Sequence, residues 1–148
     1  MHLVCPAGSL PALKAALQQG ADAIYVGFRD DTNARHFAGL NLDDKQLDSG
    51  LQLIRQRGKQ LYVAVNTYAK PQGWTRWQRA VDQAADLGVD ALIAADPGVL
   101  AYASRRYPDL NLHLSVQGSA TNVAALSFYQ QRYNIRRAVL PRVLSLAQ

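Results

Sequence analysis

The sequence predicts an α/β fold, the N-terminal part of a (β/α)8 barrel of the TIM type, with about five βα units and a sixth strand. Three observations predict it. Short apolar runs rich in Val, Ile and Tyr alternate with longer stretches of helical period, the pattern of a parallel sheet wrapped by helices. A phrase recurs: Gly20-Ala21-Asp22-Ala23-Ile24 and Gly88-Val89-Asp90-Ala91-Leu92 each read as helix cap, short turn and buried strand. The glycine fingerprint of a dinucleotide-binding doubly wound sheet is missing after the first strand, where Cys5-Pro6-Ala7-Gly8-Ser9 contains no GxGxxG. The doubly wound open sheet is the alternative.

Each element has its own warrant. The apolar run at 3–5 is a short strand, and the helical stretch 10–19 that follows stops at Gly20. Residues 23–27, Ala-Ile-Tyr-Val-Gly, read as the second strand. A long polar insertion leads to a helix over 44–57, closed by Gly58, and a third strand over 61–66. A helix over 74–87 closes at Gly88 and feeds a fourth strand at 91–94. A helix over 98–107, a strand over 112–116, a helix over 122–132 and a strand at 138–140 complete the pattern. A complete barrel takes about 250 residues, so residues 1–148 are expected to form a single, incomplete barrel domain whose open edges need further sequence or a partner.

Composition excludes several classes. With 49% hydrophobic and 18% charged residues the chain is neither disordered nor collagen-like. No apolar run reaches the roughly 18 residues needed to span a bilayer, and Met1 to Gly8 lacks a signal-peptide pattern, so a cytoplasmic location is expected. Cys5 is the one cysteine, too few for an internal disulfide, a zinc site or an iron-sulfur cluster. The net charge is +5, with twelve Arg and four Lys against eleven Asp and no Glu. Schemes that need a Glu base, ligand or nucleophile therefore have no candidate in these residues. The arginine excess suits flat anionic or aromatic partners, although a solvated basic surface explains it as well.

In a barrel, chemistry gathers in the loops that follow the strands. The longest is the insertion over 28–41, with Arg29, Asp30, Asp31, Arg35 and His36 in one segment. Either it contacts a ligand, or Asp30 and Asp31 brace it against Arg29 and Arg35. Asn33, Arg35 and His36 are the candidate substrate contacts, with Asn66 and Gln117 lining the same mouth, and no catalytic base is assigned. Asp96, ahead of Pro97 and Gly98, reads as a helix cap before a ligand. Cys5 reads as a small buried residue before a nucleophile, and His113, inside a strand, as a structural histidine. Trp74 and Trp77 read as a docking face before a base-stacking platform.

The opening Cys5-Pro6-Ala7-Gly8-Ser9, with Leu13-Lys14-Ala15-Ala16 and Gly20 to Gly27, resembles the start of the collagenase-like peptidase family of unassigned mechanism. Asp30 to Asn41, Arg76 to Asp82 and Val139 to Ser145 resemble its ubiquinone-biosynthesis branch. That resemblance implies a component of ring hydroxylation without dioxygen, acting on a ubiquinone precursor with a UbiV-like paralogue as heterodimer and a UbiT-like lipid carrier. It also implies a [4Fe-4S] cluster on four cysteines, all beyond residue 148, so this stretch alone is expected to be cluster-free and inactive. Cys5 is not carried over as a ligand. Other branches hydroxylate bases in transfer or ribosomal RNA, and some members are called peptidases. Nucleic acid is the less expected partner. A peptidase is the least expected reading, because neither a Ser-His-Asp order with a nucleophile elbow nor a zinc spacing is present.

Overall fold

The computed structural model describes residues 1–37 and 41–145. In chain order it contains β1 (Val4–Pro6), α1 (Leu10–Gln18), β2 (Ala23–Gly27), α2 (Asp44–Gln56), β3 (Gln60–Val65), α3 (Trp74–Asp86), β4 (Ala91–Ala94), α4 (Pro97–Arg106), β5 (Leu112–Leu114), α5 (Val123–Tyr133) and β6 (Ile135–Ala138). Short 3-10 turns at Pro71–Gly73 and Val116–Gly118 follow β3 and β5. Every strand pairs in parallel with the next in sequence, giving the order β1-β2-β3-β4-β5-β6. A doubly wound sheet would reverse its order at a switch point, so this progression is that of a barrel.

Alternation along the strands splits the sheet into two faces. Ile24, Val26, Leu61, Val63, Val65, Leu92, Leu112 and Leu114 share one apolar core with Leu13, Leu17, Ile54, Trp77, Val81, Val99 and Leu100 from the helices. The opposite face has a separate small cluster of Ala23, Tyr62 and Ala91, joined by Val4, Tyr25 and Ile93, to which no helix contributes. That face is the inside of a curl. Arg137 on β6 lies three strands from Tyr62 on β3, roughly 14 Å in a flat sheet, yet its Nη1 donates to Tyr62 Oη at 3.4 Å.

The repeated phrase is a register clamp at the N-terminal ends of the strands. Asp22, just before β2, accepts from Leu3 N–H at 3.0 Å, while its own N–H donates to Leu3 C=O at 2.8 Å. Asp90, just before β4, does the same to Leu61, with both bonds at 2.8 Å. In each phrase the glycine ahead of the Asp takes positive φ, +87° at Gly20 and +64° at Gly88, to turn the chain out of the helix. Helix starts carry side-chain caps at Ser9, Asp43, Asp96 and Asn122, of which Asp96 was expected.

One element is displaced from its sequence expectation. The sixth strand is Ile135–Ala138, not 138–140. Asn134 adopts φ +55° and ends α5 with no intervening turn, so the chain enters the sheet at once and carries Arg136 and Arg137 in the strand. Only Ile135 of the strand is fully buried, and the apolar Val139 and Leu140 that suggested the later position are about half exposed.

Asp90→Ala removes the acceptor of a buried strand N–H and is expected to cost about 1 to 2 kcal/mol. Urea denaturation of the full-length protein measures it, and an unchanged midpoint would show that the clamp carries no energy.

Candidate functional site

The C-terminal ends of β2 and β3 are joined by the 28–37 segment, and one buried side chain organises it. Asn33 is 4% exposed. Its Nδ2 donates to Phe28 C=O at 3.3 Å and to Asn41 Oδ1 at 3.2 Å, and its Oδ1 accepts from Arg35 N–H at 3.1 Å. The amide lies flat on the end of β2: a Cβ placed on Gly27 would fall 2.2 Å from Asn33 Nδ2. Asn41, at φ +72°, closes the ring by donating from Nδ2 to Arg35 C=O and from its backbone to Gly8 C=O. Ala38, Gly39 and Leu40 of the same insertion lie outside the described residues.

The braces differ from those expected. Asp31 pairs with Arg76 on α3, not with Arg29 or Arg35, and that guanidinium holds the Asp31 carboxyl below its ordinary value. Asp30 accepts from the Thr32 N–H and hydroxyl. Arg29 donates to Asn41 C=O at 3.0 Å. Thr67, after β3, donates its hydroxyl to Asp31 C=O and accepts from the indole N–H of buried Trp77 at 3.1 Å. The tryptophan pair is thus divided. Trp77 fastens the loop to α3, whereas Trp74 meets Tyr102 edge-on and borders an open groove of about 370 Å³ with Arg105 and Arg106.

Of the candidate contacts, Asn33 is structural in its bonding and Asn66 tethers the loop, its Oδ1 accepting from Ala34 N–H at 2.9 Å. Arg35 and His36 are exposed. The His36 Nδ1 is 2.7 Å from Asn33 C=O, an acceptor, so Nδ1 carries the proton and Nε2 is the basic nitrogen. Gln117 sits in the 3-10 turn after β5 with its side chain exposed, and its C=O accepts from Tyr68 Oη at 3.0 Å. Asp96 caps α4 through the Gly98 and Val99 N–H groups and also accepts from Ala69 N–H. Cys5 is half-buried against the core.

Sequence reasoning missed a second group on the inner face. Arg35 folds back from the loop and donates from Nη1 to Tyr25 Oη at 3.3 Å. Tyr25 and Tyr62 are register partners on β2 and β3. Tyr62 donates to Gln60 Oε1 and accepts from Arg137, whose guanidinium also lies 5.9 Å from the Tyr62 ring centre. His113 meets Tyr62 edge-on at 4.9 Å, and burial together with the Arg137 charge pushes its imidazole down to about 4, so it is neutral at physiological pH. The available signal was the alternation in β2 and β3, which puts Tyr25 and Tyr62 opposite the helix-packed residues. Arg137 gave none, because Arg136-Arg137 reads as loop.

Among the described residues no group of three or more His, Cys, Asp or Glu could hold a metal ion. With Cys5 as the sole thiol, the side chains present do not fit an iron-sulfur cluster. No helix among the described residues is long and apolar enough to cross a membrane.

Comparison with known proteins decides the family. The model of peptidase family U32 matches residues 8–148. The chain belongs to peptidase family U32. It is 32% identical over 147 residues to the tRNA hydroxylation protein P of Escherichia coli, covering 99% of this chain and 32% of that protein. It is 30% identical to a collagenase of Porphyromonas gingivalis, covering 99% of this chain and 34% of that one. The U32 chain therefore spans about a third of the length of these curated relatives. The solved structure of a U32 peptidase superposes with a TM-score of 0.80 at 15% identity over 97% of this chain and 60% of that one, which supports the fold.

Gly27→Ala is expected to drive a methyl group into the Asn33 amide and destabilise the U32 domain by about 1 to 3 kcal/mol. Adding Asn33→Ala should recover part of that loss in a double-mutant cycle, and strict additivity of the two would show that they do not touch. A second expectation concerns pH. The native His113 imidazole resists protonation more than the unfolded one, so its stabilising effect is complete above the ordinary value of 6.5 and is lost as pH falls toward 4. About 3 kcal/mol should disappear across that window, and the His113→Gln variant should lack that part of the slope in denaturation curves.

Proposed function

We propose that the full-length protein is a UbiU-like component of oxygen-independent ubiquinone biosynthesis. It would act in ring hydroxylation of a ubiquinone precursor, with a UbiV-like paralogue as heterodimer and a UbiT-like lipid carrier, and with a [4Fe-4S] cluster on cysteines beyond residue 148. The observation that carries this reading is the ion pair between Asp31 and Arg76. It joins two of the segments whose sequences resemble the ubiquinone branch, Asp30 to Asn41 and Arg76 to Asp82, into one unit at the C-terminal rim, where barrel enzymes place their chemistry. The exposed Arg35 and His36 of that unit are its candidate substrate contacts.

Hydroxylation of an RNA base is the second reading. It is favoured by the likeness to the tRNA hydroxylation protein P and by the arginine-rich composition. A peptidase activity has the name of the Porphyromonas relative behind it, but Thr32, whose hydroxyl donates to the Asp30 carboxylate, is fully buried and so out of a substrate's reach.

A strain lacking the full-length gene, grown with and without oxygen and extracted for quinones, tests the proposal. Loss of ubiquinone only without oxygen, restored by the full-length gene but not by residues 1–148, is the expected result. Unchanged ubiquinone together with altered RNA nucleosides by mass spectrometry would overturn it in favour of the second reading. In the complementing gene, Arg35→Ala and His36→Ala should lower anaerobic ubiquinone; unchanged levels would make the loop a structural element.

A further inference from the structure

We propose that the inner face of the sheet holds an oxyanion, a carboxylate or phosphate group of a small ligand, between the guanidiniums of Arg35 and Arg137. Three observations place it there. Each guanidinium is held by a tyrosine hydroxyl, Arg35 by Tyr25 at 3.3 Å and Arg137 by Tyr62 at 3.4 Å. The two tyrosines are register partners on neighbouring strands, so their backbones stand about 4.8 Å apart, and each receives a guanidinium from a distant part of the chain. One cation comes from the loop after β2, the other from β6.

The charge of the face is one-sided. Three acids close in sequence to Tyr25 and Arg35 are engaged elsewhere: Asp22 with Lys59, Asp30 with Thr32 and Asp31 with Arg76. The two ion pairs of the described residues, Lys59 with Asp22 and Arg76 with Asp31, leave Arg35 and Arg137 out. Neither tyrosine hydroxyl neutralises a guanidinium, whereas a carboxylate or phosphate supplies the paired acceptor oxygens that the planar fork matches. The neighbouring His113 is neutral, so it adds no third charge, and its ring meets that of Tyr62 edge-on. Anion binding at this face does not require the ubiquinone reading, in which Arg35 is also a candidate substrate contact.

Calorimetric titration of the full-length protein with inorganic phosphate and, separately, with benzoate tests the site. Saturable binding of at least one of them is expected, weakened roughly tenfold or more by Arg35→Met and by Arg137→Met and unchanged by Arg57→Met at the C-terminal cap of α2. Phosphate alone would identify a phosphate-bearing ligand, benzoate alone a carboxylate, and both results support the site. Tyr62→Phe removes only the hydroxyl that orients Arg137, so it reports on the site even if an arginine variant fails to fold, and it should weaken binding several-fold. Absence of binding by both anions, or binding that all three inner-face variants leave unchanged, would overturn the proposal.

Discussion

The rim of this domain depends on a missing side chain. Because residue 27 is glycine, the Asn33 amide can lie against the backbone at the end of β2, where any Cβ would collide with it. From that position one amide satisfies Phe28 C=O, Asn41 Oδ1 and Arg35 N–H at once. Such a buried polar group is stable only because its hydrogen bonds are made, and leaving them unmade would cost more than the bonds contribute. The consequence reaches outward: with Asn33 seated, Asp31 meets Arg76, Thr67 meets Trp77, and Arg35 is directed at Tyr25.

The sheet divides its two faces by chemistry. Toward the helices it presents Val, Ile and Leu, and burial of that surface provides the main driving force for folding. On the inner side the same sheet places two tyrosines, a histidine and an arginine, with the small buried residues Ala23 and Ala91 beside Tyr62. Across this second face Arg137 on β6 reaches over three strands to Tyr62 on β3.

Membership of peptidase family U32 fits this organisation without deciding the reaction. The curated relatives include a tRNA hydroxylation protein and a collagenase, so a shared barrel half carries different names. A fold hosts chemistry at its sites, and the groups that distinguish relatives are those at the strand ends and on the inner wall. In this chain they are cationic and aromatic, with no metal-binding cluster among the described residues.

How much of this was legible in the chain follows from the range of the forces involved. The helices, five of the six strands and the parallel order were readable because hydrophobic period, glycine caps and the repeated Gly-x-Asp phrase are local signals. The loop over 28–41 could be singled out by its length and polarity, and Asp96 by its place before Pro97. Its bracing could not. Asp31 chose Arg76, 45 residues away, over the adjacent cations Arg29 and Arg35. β6 was misplaced because Arg136-Arg137 looks like loop when the partners of Arg137 on β3 and β5 are unknown. By itself, then, the sequence determined the barrel-like order of elements and the position of the rim. Only the tertiary structure decided that Asn33 is a lock, and that Arg35 and Arg137 converge on neighbouring tyrosines, because those contacts join residues that only the folding of the sheet brings together.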